Sequence, residues 1–158
     1  MAGSFNLGGG DSQAAIITYG LTSSQPRPSD IYDNLPAFER AVDDALYIGG
    51  PRRLRYAVDR AETLLRTVGP EVQKIVIMLT SGKQSEPQDV PFLKESFTTL
   101  HALCIKVFAV AIGNDNDKEE LLPAVDRSAD IFTVATFGRL AQEAQPISKA
   151  ITERSGQV

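Results

Sequence analysis

The chain has a single cysteine, Cys104, and a single histidine, His101. One thiol cannot close an internal disulfide, and one imidazole excludes a His-rich zinc site. No apolar run approaches the roughly 18–20 residues needed to cross a membrane. Met1 to Gly10 lacks the charged and apolar regions of a signal peptide. There is no excess of positive charge: 16 Lys and Arg against 20 Asp and Glu leave a net charge of −4. That balance disfavours nucleic acid as a partner, because phosphate binding calls for a basic face. Basic residues cluster only at Arg52-Arg53-Leu54-Arg55.

The signatures of nucleotide and acyl chemistry are also missing. The chain contains no G-x-G-x-x-G, no G-x-x-x-x-G-K-[ST] and no G-x-S-x-G. Gly8-Gly9-Gly10 precedes a predicted strand, so it cannot cradle a phosphate at a helix N-terminus and reads as a lead-in. Ser81 has no base at hand, since His101 falls at the far end of the following helix, and a Ser-His-acid triad is excluded on that ground. Asn114-Asp115-Asn116-Asp117 resembles part of a calcium loop but lacks the central Gly and distal Glu. Asp117 reads instead as an N-cap for Lys118-Glu119-Glu120-Leu121. The expectation is a protein that is not an enzyme.

What is present is an ordinary globular composition, 42% hydrophobic and 23% charged over 158 residues, the size of one domain. Ile75-Val76-Ile77-Met78-Leu79 is apolar without alternation, the habit of a strand covered by helices on both faces. Cys104 to Gly113 is a second such run, in which Cys104 is expected as a buried small hydrophobe. Ile131 to Val134 is a third. Ala14 to Tyr19, closed by Gly20, predicts a further strand, and Asp30 to Asn34 a short edge strand. Helices are predicted from Leu35 until Gly49-Gly50-Pro51, with Phe38, Val42, Ala45 and Leu46 on one face, and over 52–67, 90–103, 117–125 and 138–151. The alternation argues an α/β three-layer sandwich with a mainly parallel, doubly wound sheet. The chain is read as one domain over 1–158, with 1–11 and 153–158 as loose ends.

Ligands of open α/β sheets bind outside the carboxyl ends of the strands. Those ends here carry Tyr19, Gly20 and Leu21, then Thr80 to Gln84, then Gly113 to Asp115, and the loop 49–53 should open onto the same rim. The candidate partner-binding residues are therefore Tyr19, Thr22, Ser23, Arg52, Arg53, Ser81, Lys83 and Gln84.

Four segments, "YIGGPRRLRYAVDRAETLL", "KIVIMLTSGKQSEPQDV", "IKVFAVAIGNDNDKEELLPAV" and "IFTVATFGRLAQEAQPISKAI", together resemble a von Willebrand factor type A domain of the kind found in type VI collagen and the matrilins. The resemblance covers nearly the whole chain. It implies a Rossmann-like sheet with one antiparallel edge strand, and noncatalytic adhesion to proteins, including matrix proteins such as collagens, in an extracellular setting. In that family a divalent cation on the rim is held by a D-x-S-x-S motif, a threonine and the aspartate of a T-D-G triplet. Here the first motif and its central strand are absent, Arg52 falls at the threonine position and Ser81 at the aspartate position. A hard cation needs oxygen donors, and a guanidinium repels it, so no metal or other cofactor is expected. A metal-dependent domain whose first motif lies upstream, and a spacer in a tandem array, are the alternatives. Loss of the central strand leaves three outcomes open: direct pairing of the Ala14 run with Ile75 to Leu79, a strand donated by another chain or self-association, or a fragment. Direct pairing is the expected one.

Overall fold

Three parallel strands form the sheet of the computed structural model, which describes residues 7, 12–80, 86–114 and 118–156. They are β1 (Ile75–Thr80), β2 (Lys106–Ile112) and β3 (Ile131–Val134), in the order β1-β2-β3. Ile75 stands opposite Lys106, and Ala109 opposite Ile131. The helices in chain order are α1 (Leu35–Asp43), α2 (Leu54–Leu65), α3 (Val90–Ala102), α4 (Lys118–Leu121) and α5 (Phe137–Ser155). α3 and α2 pack on one face of the sheet, where Phe97, Leu93, Leu100, Leu54 and Val58 meet Val107, Ala109 and Ala111. On the other face Ile147 and Ile151 of α5 meet Phe108, Val110 and Ile112. This is the expected helix-covered parallel sheet. The unbroken apolar run of β2 follows from burial on both faces, whereas in β1 Leu79 is exposed and Ile75 to Ile77 are half-buried.

The N-terminal strands differ from expectation. Ala14 to Tyr19 forms no ladder: Ala14 makes an isolated antiparallel bridge to Tyr32, and Tyr19 one to Ser23. Asp30 belongs to a single 3₁₀ turn, Pro28–Asp30, instead of an edge strand. No pairing joins the Ala14 run to β1 among the described residues. A β-branched run satisfies propensity, but a ladder also needs a neighbour at hydrogen-bonding distance.

α1 stops at Asp43, short of its predicted end. Asp43 and Asp44 place negative charge at the negative end of the helix dipole. Leu46 therefore lies outside the helix and is 80% exposed, not on a buried face. α5 runs further than predicted, so Glu153 to Ser155 are helical. Its last carbonyls are held: Lys106 Nζ donates to Ser155 O at 3.0 Å and Arg154 O at 3.3 Å, and Gln73 Nε2 donates to Ser155 O.

Cys104 is exposed, not buried. It occupies the left-handed residue that ends α3, with φ 56°. Cys104 N donates to His101 O at 2.9 Å and Ile105 N to Leu100 O at 3.0 Å, the paired bonds of a Schellman turn, and Leu100 and Ile105 bury together in the core. Glycine is the usual residue there, because a Cβ in this conformation costs about 1–2 kcal/mol. Glycine also gives back some of that gain as unfolded-chain entropy. Cys104→Gly is expected to raise stability by about 0.5–1 kcal/mol net, while Cys104→Ala gains nothing. Urea midpoints check this, and equal midpoints for the two variants would refute it.

Candidate functional site

The carboxyl ends of the parallel strands are framed by two loops stitched to one another. Gly20 is buried, its N–H donates to Thr22 O at 2.8 Å and its carbonyl accepts from Arg53 N at 3.3 Å. Leu21 N donates to Gly49 O at 3.0 Å. The backbone of Ile48 and Gly49 crosses so close to Gly20 that a Cβ added there would lie 2.0 Å from Ile48 O. Gly50 turns this second loop with φ +94°, a conformation glycine adopts without steric cost. The loop then delivers Arg52 and Arg53 to the start of α2.

Tyr19 sits under this frame, packed against the α2/α3 core. Its hydroxyl shares a hydrogen bond with Thr80, the last residue of β1, and lies within the field of Arg52. Burial dominates and raises the phenol pKa, against the lowering by Thr80 and Arg52. Arg52 is exposed on the same rim. Among the described residues, a guanidinium thus acts on a neutral phenol at this end of the sheet.

Arg53, next in sequence, is engaged differently. Its Nε donates to Asp89 Oδ2 at 2.7 Å and a terminal nitrogen donates to Asp89 Oδ1 at 3.2 Å. The guanidinium stacks on Tyr56, 4.6 Å from the ring centroid. Arg55 lies 3.9 Å from the same carboxylate and 4.5 Å from the centroid of Phe92. Asp89 immediately precedes α3, so this pair ties the start of α2 to the start of α3. A planar fork suits such a bidentate contact where an ammonium would not.

The Asp89 side chain is only 3% exposed. The hydrogen bond from Arg53 holds its carboxyl below the usual carboxylate range, with help from the charges of Arg53 and Arg55, and this outweighs burial. A carboxyl whose folded pKa is depressed stabilises the fold above its unfolded value of about 3.9. That contribution disappears as pH falls through the lower folded value. Asp89→Asn is therefore expected to weaken the fold at neutral pH and to flatten the acid side of its stability curve. Urea midpoints from about pH 7 to about pH 3 test it, and parallel curves for the two proteins would discard the assignment.

The predicted rim residues separate into groups. Tyr19 and Arg52 come together with Thr80. Thr22 is exposed beside them, whereas Ser23 is 6% exposed and bridged to Tyr19. Arg53 is turned to Asp89. Ser81, Lys83 and Gln84 lie outside the described residues, as do Asp117 and Gly8 to Gly10. Sequence reading placed Thr80 at the rim but missed Asp89 and Tyr56. The Arg53–Asp89 contact spans 36 residues, and no local pattern announces it. His101 lies in the last turn of α3, as predicted, with Nε2 2.9 Å from Ala124 O.

The described residues thus form an α/β domain with loops converging over its strand ends. The chain matches the von Willebrand factor type A domain over residues 1–146 and belongs to that family, whose members are typically protein-interaction modules rather than enzymes. It is 30% identical over 102 residues to mouse von Willebrand factor A domain-containing protein 2, a match covering 62% of this chain and 13% of that protein. Its fold is similar to proximal thread matrix protein 1 of the mussel byssus, at TM-score 0.76, 19% identity and 91% coverage of this chain. A structure of that mussel protein with a zinc-occupied metal-ion-dependent adhesion site aligns at TM-score 0.78, 23% identity and 93% coverage. The chain spans 37% of the mussel protein chain.

Proposed function

We propose that this domain is a noncatalytic interaction module of a matrix or adhesion protein, and that its rim binds protein partners directly, without a divalent ion. The observation that carries this reading is Arg52 beside Tyr19 and Thr80, at the strand ends where relatives place an ion. The donor set does not suit a hard cation: a guanidinium replaces a threonine, and Ser81 replaces an aspartate. Among the described residues, no group of three or more His, Cys, Asp or Glu side chains could hold a metal. Arg52 supplies positive charge of its own and suits an acidic residue of a partner. The matching share of much longer relatives also fits a domain working within a longer protein. An extracellular setting, with collagens and other matrix proteins among the partners, is the reading that the family and the mussel protein support.

The test is binding to immobilised collagens and other matrix proteins, with Mg²⁺ and with EDTA, for the wild type and Arg52→Glu. Binding should be indifferent to EDTA and lost on charge reversal. A rise of several degrees in Tm with Mg²⁺ or Zn²⁺, or binding abolished by EDTA, would overturn the metal-free reading.

A further inference from the structure

The four tyrosines of the chain are held in four different ways. Tyr19 packs against the core and its hydroxyl bonds to Thr80. Tyr32 exchanges both backbone hydrogen bonds with Ala14, and its ring meets Phe38 edge-on with centroids 6.4 Å apart. Tyr56 carries two guanidinium groups on its ring, Arg53 at 4.6 Å and Arg55 at 5.9 Å from the centroid. Tyr47 has none of these ties. It is 94% exposed, and among the described residues its hydroxyl has no hydrogen-bond partner and its ring no aromatic or cationic neighbour.

The chain around Tyr47 is equally distinct. α1 ends at Asp43, and residues 45–49 form neither helix nor strand. Two residues after Tyr47 the backbone is anchored, where Gly49 O accepts from Leu21 N at 3.0 Å. The phenol therefore projects from a short irregular segment with a fixed base. Between Arg40 and Arg52 the only charges are Asp43 and Asp44. Both are exposed, and neither carboxylate has an ion pair or hydrogen bond among the described residues. A nucleotide-dependent transferase holds its polyanionic donor in a basic cleft, and an acceptor flanked by uncompensated carboxylates is drawn to such a cleft. Tyr56 follows Arg52-Arg53-Leu54-Arg55 and is repelled by it. Tyr32 stands between Asp30 and Asp33, but its backbone and ring are both engaged, so it is presented only by local opening.

We propose that Tyr47 is a modification site, the acceptor of a tetrahedral oxyanion, sulfonate or phosphoryl, from an adenine-nucleotide donor. The step is the same for either group. The phenol oxygen bonds to the donor's terminal sulfur or phosphorus, and the bond from that atom to the nucleotide oxygen breaks. The phenolic proton passes to a base of the transferase, and nothing is oxidised or reduced. A sulfate ester adds a full negative charge, and a phosphate ester about −1.5 to −2 near neutral pH. That charge joins Asp43 and Asp44 on the loop that leads to Arg52. It would oppose an acidic partner at the rim, but the site itself does not depend on what the rim binds.

The folded full chain is incubated with a tyrosylprotein sulfotransferase and 3′-phosphoadenosine 5′-phosphosulfate, and in a second arm with a tyrosine kinase of acidic substrate preference and ATP. Mass spectrometry then maps the modified tyrosines. Tyr47 should be labelled in at least one arm, about tenfold faster than the other three, which become reachable only by local opening. The arm that labels it assigns the group. Tyr47→Phe should abolish the signal, with an unchanged far-UV CD spectrum. Asp43→Asn with Asp44→Asn should slow it by roughly tenfold through lost charge steering. That pair of changes does not weaken α1, because both carboxylates oppose its dipole. Acetylation by N-acetylimidazole provides an enzyme-independent measure, and Tyr47 should react first. A Tyr47 that resists acetylation is covered in solution, and that result would overturn the proposal. So would labelling in neither arm, labelling mainly at another tyrosine, or a rate indifferent to the two aspartates. The Arg52→Glu binding test uses unmodified protein, so its failure and the failure of this assignment are read separately.

Discussion

Replacing Phe97 by alanine is expected to lower the unfolding free energy by about 3–5 kcal/mol. Phe97 is 0% exposed at the centre of α3, in the cluster that joins Leu54 and Val58 of α2 to Met78 of β1 and Ala109 of β2. The small residues of β2 facing α3 cannot reach into the vacated volume, so the cavity remains and adds to the lost transfer energy. Against a typical total of about 5–15 kcal/mol, this one ring carries a large fraction of the stability. Phe92→Ala, five positions earlier but 49% exposed, should cost far less. Urea unfolding of both variants reads the difference, and a Phe97→Ala loss below about 1 kcal/mol would show that the core is not organised around this side chain.

Gly20→Ala is expected to be the most damaging conservative change at the rim. The added methyl would sit 2.0 Å from Ile48 O and 2.7 Å from Gly49 O, both backbone atoms. Neither can rotate away as a side chain could, so the two loops must separate and the Leu21–Gly49 and Arg53–Gly20 hydrogen bonds go with them. Overpacking of this kind costs about 1–3 kcal/mol, and the displacement falls on Tyr19 and Arg52. Partner binding should therefore fall more steeply than stability. Gly49→Ala is the control: its Cβ would meet only the Tyr47 ring at 3.6 Å, and both stability and binding should hold. Equal behaviour of the two variants would mean that the loops are not mutually braced.

The parts of the fold legible in the sequence are those fixed by burial. Val107 to Ile112 announces itself because a strand covered on both faces needs no polar residue, and Ile75 to Leu79 by its unbroken run of β-branched and other apolar residues. The helix over α2 announces itself by an apolar stripe that faces one way. Cys104 was misplaced because nothing in its composition distinguishes the last turn of a helix from the first residue of a strand when glycine is missing from the cap. Ala14 to Tyr19 was misplaced because propensity describes one chain segment, whereas a ladder is a property of two. At the rim, position relative to the strand ends was readable, and the pairing of Arg53 with Asp89 was not, since only the tertiary fold brings α2 and α3 together.

The Schellman turn at the end of α3 has a consequence for β2. Both faces of β2 are apolar, so polarity cannot decide which way each side chain points. Size does: Val107, Ala109 and Ala111 lie under α2 and α3, and the bulkier Phe108, Val110 and Ile112 under α5. By fixing Ile105 beneath Leu100, the turn sets the phase of every residue after it. A shift of one position would drive Phe108 into space shaped for alanine, and close packing forbids that. The address of each β2 side chain is thus written in volume, and the turn before it is where the reading frame begins.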